Sequence, residues 1–233
     1  MDWNDPEWVR FFAERSPDVH LLRILGEQAH PAALRVLDLG CAAGRNTEAF
    51  LRAGCETYAL DLAPAMLQAT CRRVADLWPP GTGPGGVLRG DMRGLPFREG
   101  VFDFIAALGI FHEASCEADL VLSWREAWRV LKAEGQILVS VFGVEMLPPE
   151  SRPVGGERFH YRTPEGRILC RLSAQELLEV SEKAGFVPIR PLEKRSRKEG
   201  EQFRVTYLGL FKKVEMDARG SEGGEGRGED GPA

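Results

Sequence analysis

The stretch Val36-Leu37-Asp38-Leu39-Gly40-Cys41-Ala42-Ala43-Gly44 is a short apolar run that ends in a loop of small residues. Asn46 to Ala53 then reads as a helix, with Gly54 as its left-handed stop. The same rhythm repeats downstream. Thr57 to Leu60 reads as a second strand ending at Asp61, and Pro64 opens a helix with Met66, Leu67 and Val74 on one face. Val87-Leu88 is a third strand ending at Asp91, and Phe102 to Leu108 is a fourth. Leu120, Val121, Trp124, Trp128 and Leu131 recur at helical spacing, Gly135 breaks the chain, and Gln136 to Phe142 is a fifth strand. Strand and helix alternate five times, which argues for a parallel sheet covered on both faces.

Outside this core the pattern changes. Asn4-Asp5-Pro6 and Ser16-Pro17 each place a capping side chain before a proline, so two amphipathic helices are expected. The first would carry Trp8, Phe11 and Phe12, the second Leu21, Leu22 and Leu25. After Gly143, prolines and glycines interrupt the chain, and Thr163-Pro164-Glu165-Gly166 reads as a turn between two strands, a hairpin insertion over 144–172. Ser173 and Glu176 form a capping box for a helix that Gly185 ends. Val187 to Leu192 and Phe203 to Phe211 are the last strands, antiparallel because no helix-length segment separates them, and Glu193 to Gln202 is a charged link. The expected organisation is N-terminal helices over 1–34 that cap a pocket, an α/β domain over 35–214, and a disordered Gly- and Glu-rich tail over 215–233. The fold class is a Rossmann-like, mostly parallel seven-stranded sheet with helices on both faces and an antiparallel last pair.

Charge and cysteine usage exclude several classes of function. The formal net charge is -5, and the last twenty residues carry six acids against Arg219 and Arg227. The body is therefore close to neutral, without the electrostatic footprint of a nucleic-acid binder. Cys41, Cys55, Cys71, Cys116 and Cys170 are scattered and odd in number, so neither a disulfide framework nor a zinc site is expected. Met1-Asp2-Trp3-Asn4-Asp5 lacks a secretory pattern, and Phe104 to Phe111 is the longest nearly unbroken apolar stretch. A cytoplasmic protein with no membrane span is expected, as a monomer or homodimer.

The loop Gly40 to Gly44 could let a ligand approach the backbone closely. It does not meet the dinucleotide fingerprint, because Ala42 and Arg45 occupy two of the three glycine positions, and no Walker lysine follows. Three acids strengthen the site: Asp38, Asp61 and Asp91 close the first three strands, which places them along the carboxyl edge of a parallel sheet. Asp61, 21 residues beyond Gly40, stands where a carboxylate would accept both hydroxyls of a ribose.

VLDLGCAAGRNT (36–47), ALDLAPAML (59–67), GDMRGLPF (90–97), FDFIAALGIFHE (102–113) and WRVLKAEGQILVSVF (128–142) resemble, in order and spacing, class I S-adenosylmethionine-dependent methyltransferases. The small-molecule branch, with its quinone-biosynthesis and tellurite-resistance types, is the most similar. The resemblance implies S-adenosylmethionine as cofactor and S-adenosylhomocysteine as product. It places Asp38 and the backbone from Gly40 through Cys41 and Ala42 to Gly44 at the methionyl end, and counts Asn46 among the cofactor-binding residues. Asp61 falls at the ribose and Asp91 with Met92 at the adenine, Leu62 and Met66 are further cofactor-binding residues, and Leu108 to Phe111 form a floor near the sulfonium. The family commonly has glycine where Ala42 stands, so alanine would be strained there if that position needs positive φ.

Methyl transfer from a sulfonium needs alignment and exclusion of water more than catalytic groups. Where the acceptor must lose a proton, His112 is the best-placed base, with Glu113 beside it, and His160 and Tyr161 are rivals. Trp3, Trp8, Phe11 and Phe12 either roof the pocket or pack in the core. Arg152, Arg158, Arg162, Arg167 and Arg171 either clamp an acceptor carboxylate or phosphate or keep an edge strand solvated. The segment after Asp103 lacks the Asn/Asp-Pro-Pro-Tyr run of base and glutamine methylation, which favours a small-molecule acceptor. Two alternatives stay open: an RNA or protein methyltransferase using the basic stretch Arg190 to Lys198, and a cofactor-binding regulatory module without turnover.

Overall fold

The computed structural model describes residues 2–78, 85–147, 149–199 and 202–215. The tail expected to be disordered therefore lies, from residue 216 on, outside the described residues. Two helices come first, α1 (Pro6–Ala13) and α2 (Val19–Glu27). The alternating part follows as β1 (Arg35–Leu39), α3 (Arg45–Arg52), β2 (Glu56–Asp61), α4 (Pro64–Val74), β3 (Gly86–Arg89), β4 (Phe102–Leu108), α5 (Glu117–Val130) and β5 (Leu131–Phe142). A small antiparallel sheet, β6 (Arg152–Pro153), β7 (His160–Arg162) and β8 (Ile168–Cys170), precedes α6 (Ala174–Lys183), β9 (Phe186–Pro188), β10 (Glu193–Glu199) and β11 (Gln202–Lys213).

The main sheet runs β10-β11-β5-β4-β1-β2-β3, with β9 paired to the end of β11. β1 to β5 are mutually parallel where they pair, and β11 is antiparallel to β5, β9 and β10. Strand order reverses between β1 and β4, and in open α/β sheets the ligand crevice lies at the carboxyl ends of the strands beside that point. Both faces of the sheet are covered. Along β4, Phe102, Ile105 and Ala107 join the core beneath α5, while Phe104 and Ala106 join Leu21, Ile24, Val36 and Phe50 on the opposite face. From Phe104 to Ala107 this is the period-two alternation of a strand buried on both sides, and Phe102 departs from it where the register against β5 shifts. Trp124 anchors the first face against Phe111, Phe186 and Phe211.

Several local expectations need correction. The charged segment from Glu193 is the outer strand β10, not a link, because its backbone pairs with β11 throughout. The second helix is capped by Asp18 rather than Ser16: the Asp18 carboxylate accepts from the His20 N–H at 2.9 Å, and its own N–H donates to Asn46 Oδ1 at 3.0 Å. That phase turns Ile24 inward and leaves Leu22 on the surface. Ahead of Gln136 the left-handed residue is Glu134 (φ 62), and β5 bulges there against β4. Phe11, grouped with the pocket-side aromatics, is exposed.

Candidate functional site

The loop after β1 folds back over the end of β2. The N–H groups of Gly40 and Cys41 both donate to the Leu60 carbonyl, at 2.8 and 3.0 Å. Gly40 has φ +72°, and a Cβ there would stand 2.8 Å from Ile110 Cβ, so the glycine lets the β1 and β4 loops touch across the switch point. Gly44 caps α3 in the left-handed region and packs on Thr70. Between them Ala42 has φ 48°, the positive value that glycine tolerates and alanine does not. Two contacts hold it: its N–H donates to Asp61 Oδ2 at 2.9 Å, and its carbonyl accepts from Thr70 Oγ1 at 2.7 Å. Ala42→Gly is expected to raise global stability by about 1 kcal/mol by releasing that strain. Chemical denaturation measures it, and a destabilised variant would show that Ala42 is not strained.

A cavity of about 270 Å³ opens at this edge. Its walls come from the ends of four parallel strands: Leu39 to Ala42 with Arg45 and Asn46, Leu60 to Leu62 with Met66, Gly90 to Arg93, and Leu108 to Ile110. Glu113, Ser115 and Asp119 close one side, and Trp3 and Phe12 stand at the rim. The sequence-nominated Gly40, Cys41, Ala42, Asn46, Asp61, Leu62, Met66, Asp91, Met92 and Leu108 thus meet in one place. Asp38 and Gly44 stand behind the wall instead. Phe111, expected in the floor, is wholly buried against Trp124.

Asp38 is buried and accepts from Thr47 Oγ1 at 2.6 Å. Burial pushes its carboxyl up to about 6, against the hydrogen bond from Thr47 and the nearby Arg45, which pull it down. A raised acid pKa means that the folded state holds this proton where the unfolded chain has lost it. The group therefore stabilises the fold below its unfolded value near 3.8, and that contribution disappears as pH rises through about 6. Asp38→Asn is accordingly expected to be more stable than the parent at pH 7.5, on the order of 2 kcal/mol, and equal to it near pH 4. Paired melts across that range check this, and a gap that widens toward acid would reverse the assignment.

Asp61 faces the cavity with Oδ1 accepting from the Ala63 N–H and Oδ2 from the Ala42 N–H, each at 2.9 Å. Each oxygen keeps a further acceptor direction. Burial raises its pKa and the two backbone donors oppose that shift. At the β3 end the Arg93 guanidinium pairs with both oxygens of Asp91, at 2.6 and 3.0 Å, and reaches Asp119 at 3.1 Å, holding the Asp91 carboxyl below its ordinary range. Arg45 and Arg93 were not among the nominated residues. In Arg45 burial lowers the pKa against the pull of Asp18 and Asp38, and its guanidinium donates to the Ser16 carbonyl at 3.3 Å. Only the motif's third glycine position, occupied by arginine, hinted at a cation in this wall.

The two nominated bases part company. Glu113 lines the cavity, whereas His112 is buried, stacked on Phe142 at 3.7 Å between ring centroids, with its Nε2 3.4 Å from Glu113. Burial lowers the His112 pKa, so the ring is neutral at pH 7. Burial raises the Glu113 carboxyl, but His112 and Arg167 outweigh it and hold it below the usual carboxylate range. His160 ties the small sheet to the core, its Nε2 3.1 Å from the Ala114 carbonyl and its Nδ1 3.4 Å from Glu157. Neither His160 nor Tyr161 is among the cavity-lining residues. Three cations of the basic stretch pair with acids: Arg190 meets Glu27, Lys194 meets Glu145 and Arg195 meets Asp18. No helix among the described residues is long and apolar enough to cross a membrane.

Residues 37–139 match the family described as a methyltransferase domain. The malonyl-[acyl-carrier protein] O-methyltransferase of Halorhodospira halophila is 35% identical over 129 residues, which are 54% of this chain and 40% of that protein. The chain thus spans less than half the length of that curated relative. Among solved structures, the CcbJ methyltransferase from Streptomyces caelestis superposes with a TM-score of 0.66 at 17% identity, covering 92% of this chain and 99% of that one. The Burkholderia thailandensis 1,6-didemethyltoxoflavin-N1-methyltransferase, solved with its substrate and S-adenosylhomocysteine, gives 0.62 at 20% identity over 91% of this chain and 81% of that one. These likenesses establish the fold.

Proposed function

We propose that this chain, a class I S-adenosylmethionine-dependent methyltransferase by fold with its methyltransferase domain at residues 37–139, transfers a methyl group to a small-molecule acceptor. The observation that carries the reading is Asp61, a carboxylate at the β2 end whose oxygens are fixed by the Ala42 and Ala63 N–H groups and still face the cavity.

The residues present fit the cofactor's three parts in order along the sheet edge. Arg45, a half-buried guanidinium that donates to the Ser16 carbonyl, suits the methionine carboxylate, and the Gly40 to Ala42 backbone lies beside it. Asp61 accepts the ribose hydroxyls. Leu62, Met66 and Met92 supply apolar walls for the base, with Asp91 at its edge. Bound there, the cofactor supplies an activated methyl on a positively charged sulfur. The chain's contribution is to hold that group against the β4 end, where Leu108, Gly109 and Ile110 form a wall, and to exclude water with Trp3 and Phe12 at the rim.

Glu113 is the one nominated base that reaches the cavity, and His112 positions it. Because Glu113 is held below the usual range, it serves as a weak base, which suits an acceptor that reaches the site with its nucleophilic atom already deprotonated. The five cysteines are free, in keeping with a reducing, cytoplasmic setting. The pairing of Arg190, Lys194 and Arg195 with acids of this chain favours a small acceptor over a nucleic acid. The test incubates the protein with methyl-tritiated S-adenosylmethionine and fractionated small-molecule extracts. Label moving into one extract fraction supports the reading. Cofactor binding with no labelled product from any fraction would replace it with the non-catalytic module.

A further inference from the structure

In the sheet order β4-β1-β2-β3, the methionine, ribose and base positions proposed above fall at the ends of β1, β2 and β3. The β4 end of the cavity is left for the methyl group and its acceptor. A single 3₁₀ turn, Phe111–Glu113, follows that strand. The Glu113 N–H donates to the Ile110 carbonyl at 2.9 Å. Residues three apart in such a turn share a face, so Ile110 and Glu113 line the cavity together while His112 between them is buried. Ile110 is also the residue that Gly40 lets approach, so Glu113 stands where the β1 and β4 loops meet.

Four carboxylates line the cavity, and three of them are already fixed by other groups. Asp61 is held by the Ala42 and Ala63 N–H groups, and Asp91 and Asp119 pair with Arg93. Glu113 has no lysine or arginine within salt-bridge distance among the described residues; its partner is His112, at 3.4 Å. That ring is kept neutral by burial, reinforced by Arg171 and Arg204 against the pull of Glu113. Both guanidinium carbons lie over Phe142, on which His112 stacks, at 4.4 and 4.8 Å from the ring centroid. Backbone bonds fix this support: the Leu172 N–H donates to the Phe142 carbonyl at 3.1 Å, and the Gly143 N–H to the Val205 carbonyl at 2.9 Å. Arg171 is thereby buried, and neither arginine is among the cavity-lining residues. Glu113 therefore presents a negative charge at the β4 end, steadied from behind by groups that do not enter the cavity.

We propose that Glu113 is the counter-charge to the positive charge that leaves sulfur during methyl transfer, and that the acceptor is a neutral amine. This rests on the methyltransferase reading above and names its substrate class. In the step, the nitrogen lone pair forms the bond to the methyl carbon, and the carbon–sulfur bond breaks with its electron pair passing to sulfur. The charge moves from the sulfonium to an ammonium, and a primary or secondary amine then sheds its extra proton to water. A carboxylate fixed beside the reacting centre stabilises the cation at both ends of that path. An anionic oxygen acceptor would instead cancel the charge, leaving nothing for Glu113 to stabilise, and would be repelled on approach.

The test compares two cofactor analogues by calorimetry on the full chain. Sinefungin carries an ammonium where the methyl sulfonium stands, and S-adenosylhomocysteine is neutral at that position. The parent is expected to prefer sinefungin by about tenfold or more, and Glu113→Gln to bring the ratio close to one through sinefungin alone. Glu113→Asp should keep part of the preference. S-adenosylhomocysteine binding by the variants certifies that they are folded. A variant that weakens both analogues equally would place Glu113 at the ammonium they share on the methionyl end and overturn the proposal. A second arm incubates the parent with methyl-tritiated S-adenosylmethionine and a small-molecule extract, then removes the cofactor by its ribose diol on a boronate column. Labelled product retained by a cation exchanger at neutral pH is expected, and label released as methanol by mild base, the mark of an ester, would overturn the amine. A parent that binds S-adenosylhomocysteine without preferring sinefungin overturns this proposal alone, whereas one that binds neither overturns the methyltransferase reading as well.

Discussion

Asp61→Ala is expected to weaken S-adenosylhomocysteine binding at least a hundredfold. The carboxylate faces the cavity at the end of β2 and is held there by one backbone N–H on each oxygen. Hydrogen bonds to a charged group contribute about 1.5 to 3 kcal/mol each, and two ribose hydroxyls would each donate one. Losing both amounts to about 3 kcal/mol or more, and every 1.4 kcal/mol is tenfold in affinity. Asp61→Asn keeps a neutral acceptor and should fall between the two. Calorimetry with circular dichroism as a folding control measures this, and an affinity within about threefold of the parent would remove Asp61 from the ribose site.

Gly40→Ala should be damaging for a different reason. The left-handed φ of +72° strains an L side chain, and the added Cβ would stand 2.8 Å from Ile110 Cβ, an atom fixed to the backbone that no rotamer change can move. Strain and overpacking together cost roughly 3 to 5 kcal/mol. At about 2 to 4 °C per kcal/mol for a chain of this size, Tm should drop by roughly 10 °C. Cofactor affinity should fall with it, because the loop can relieve the clash only by moving away from the β4 end. A Tm within about 2 °C of the parent would show that the two loops do not meet at the switch point. The contrast with Ala42→Gly is informative: two residues further along the same loop, the opposite substitution is expected to stabilise.

The alternating core was legible because buried strands and amphipathic helices write their period directly into the chain. Val36-Leu37-Asp38-Leu39, the stop at Gly54 (φ +82°) and the Ser173–Glu176 capping box all stand where the pattern put them. β10 was not legible. Its seven residues, Glu193 to Glu199, are almost all charged and carry no apolar alternation, and their strand state is imposed by backbone pairing to β11. The cavity wall was legible in part: acids at strand ends lie along one edge of a parallel sheet, and Asp61 and Asp91 line the cavity while Asp38 stands behind it. What a motif cannot encode is which way a neighbouring side chain turns. His112 and Glu113 are adjacent, yet His112 turns inward to stack on Phe142 while Glu113 lines the cavity. Arg171 was one of five arginines in an irregular segment, and nothing in its spacing marks it as the buried one. Its burial comes from long-range ties between β8, β5 and β11.

The most direct test of the central claim is titration of the parent protein with S-adenosylhomocysteine, with ATP and NADH as controls. Selective micromolar binding, absent for both controls, is the expected result. Failure to bind S-adenosylhomocysteine, or equal binding of NADH, would contradict the assignment of the cavity at the ends of β1 to β4.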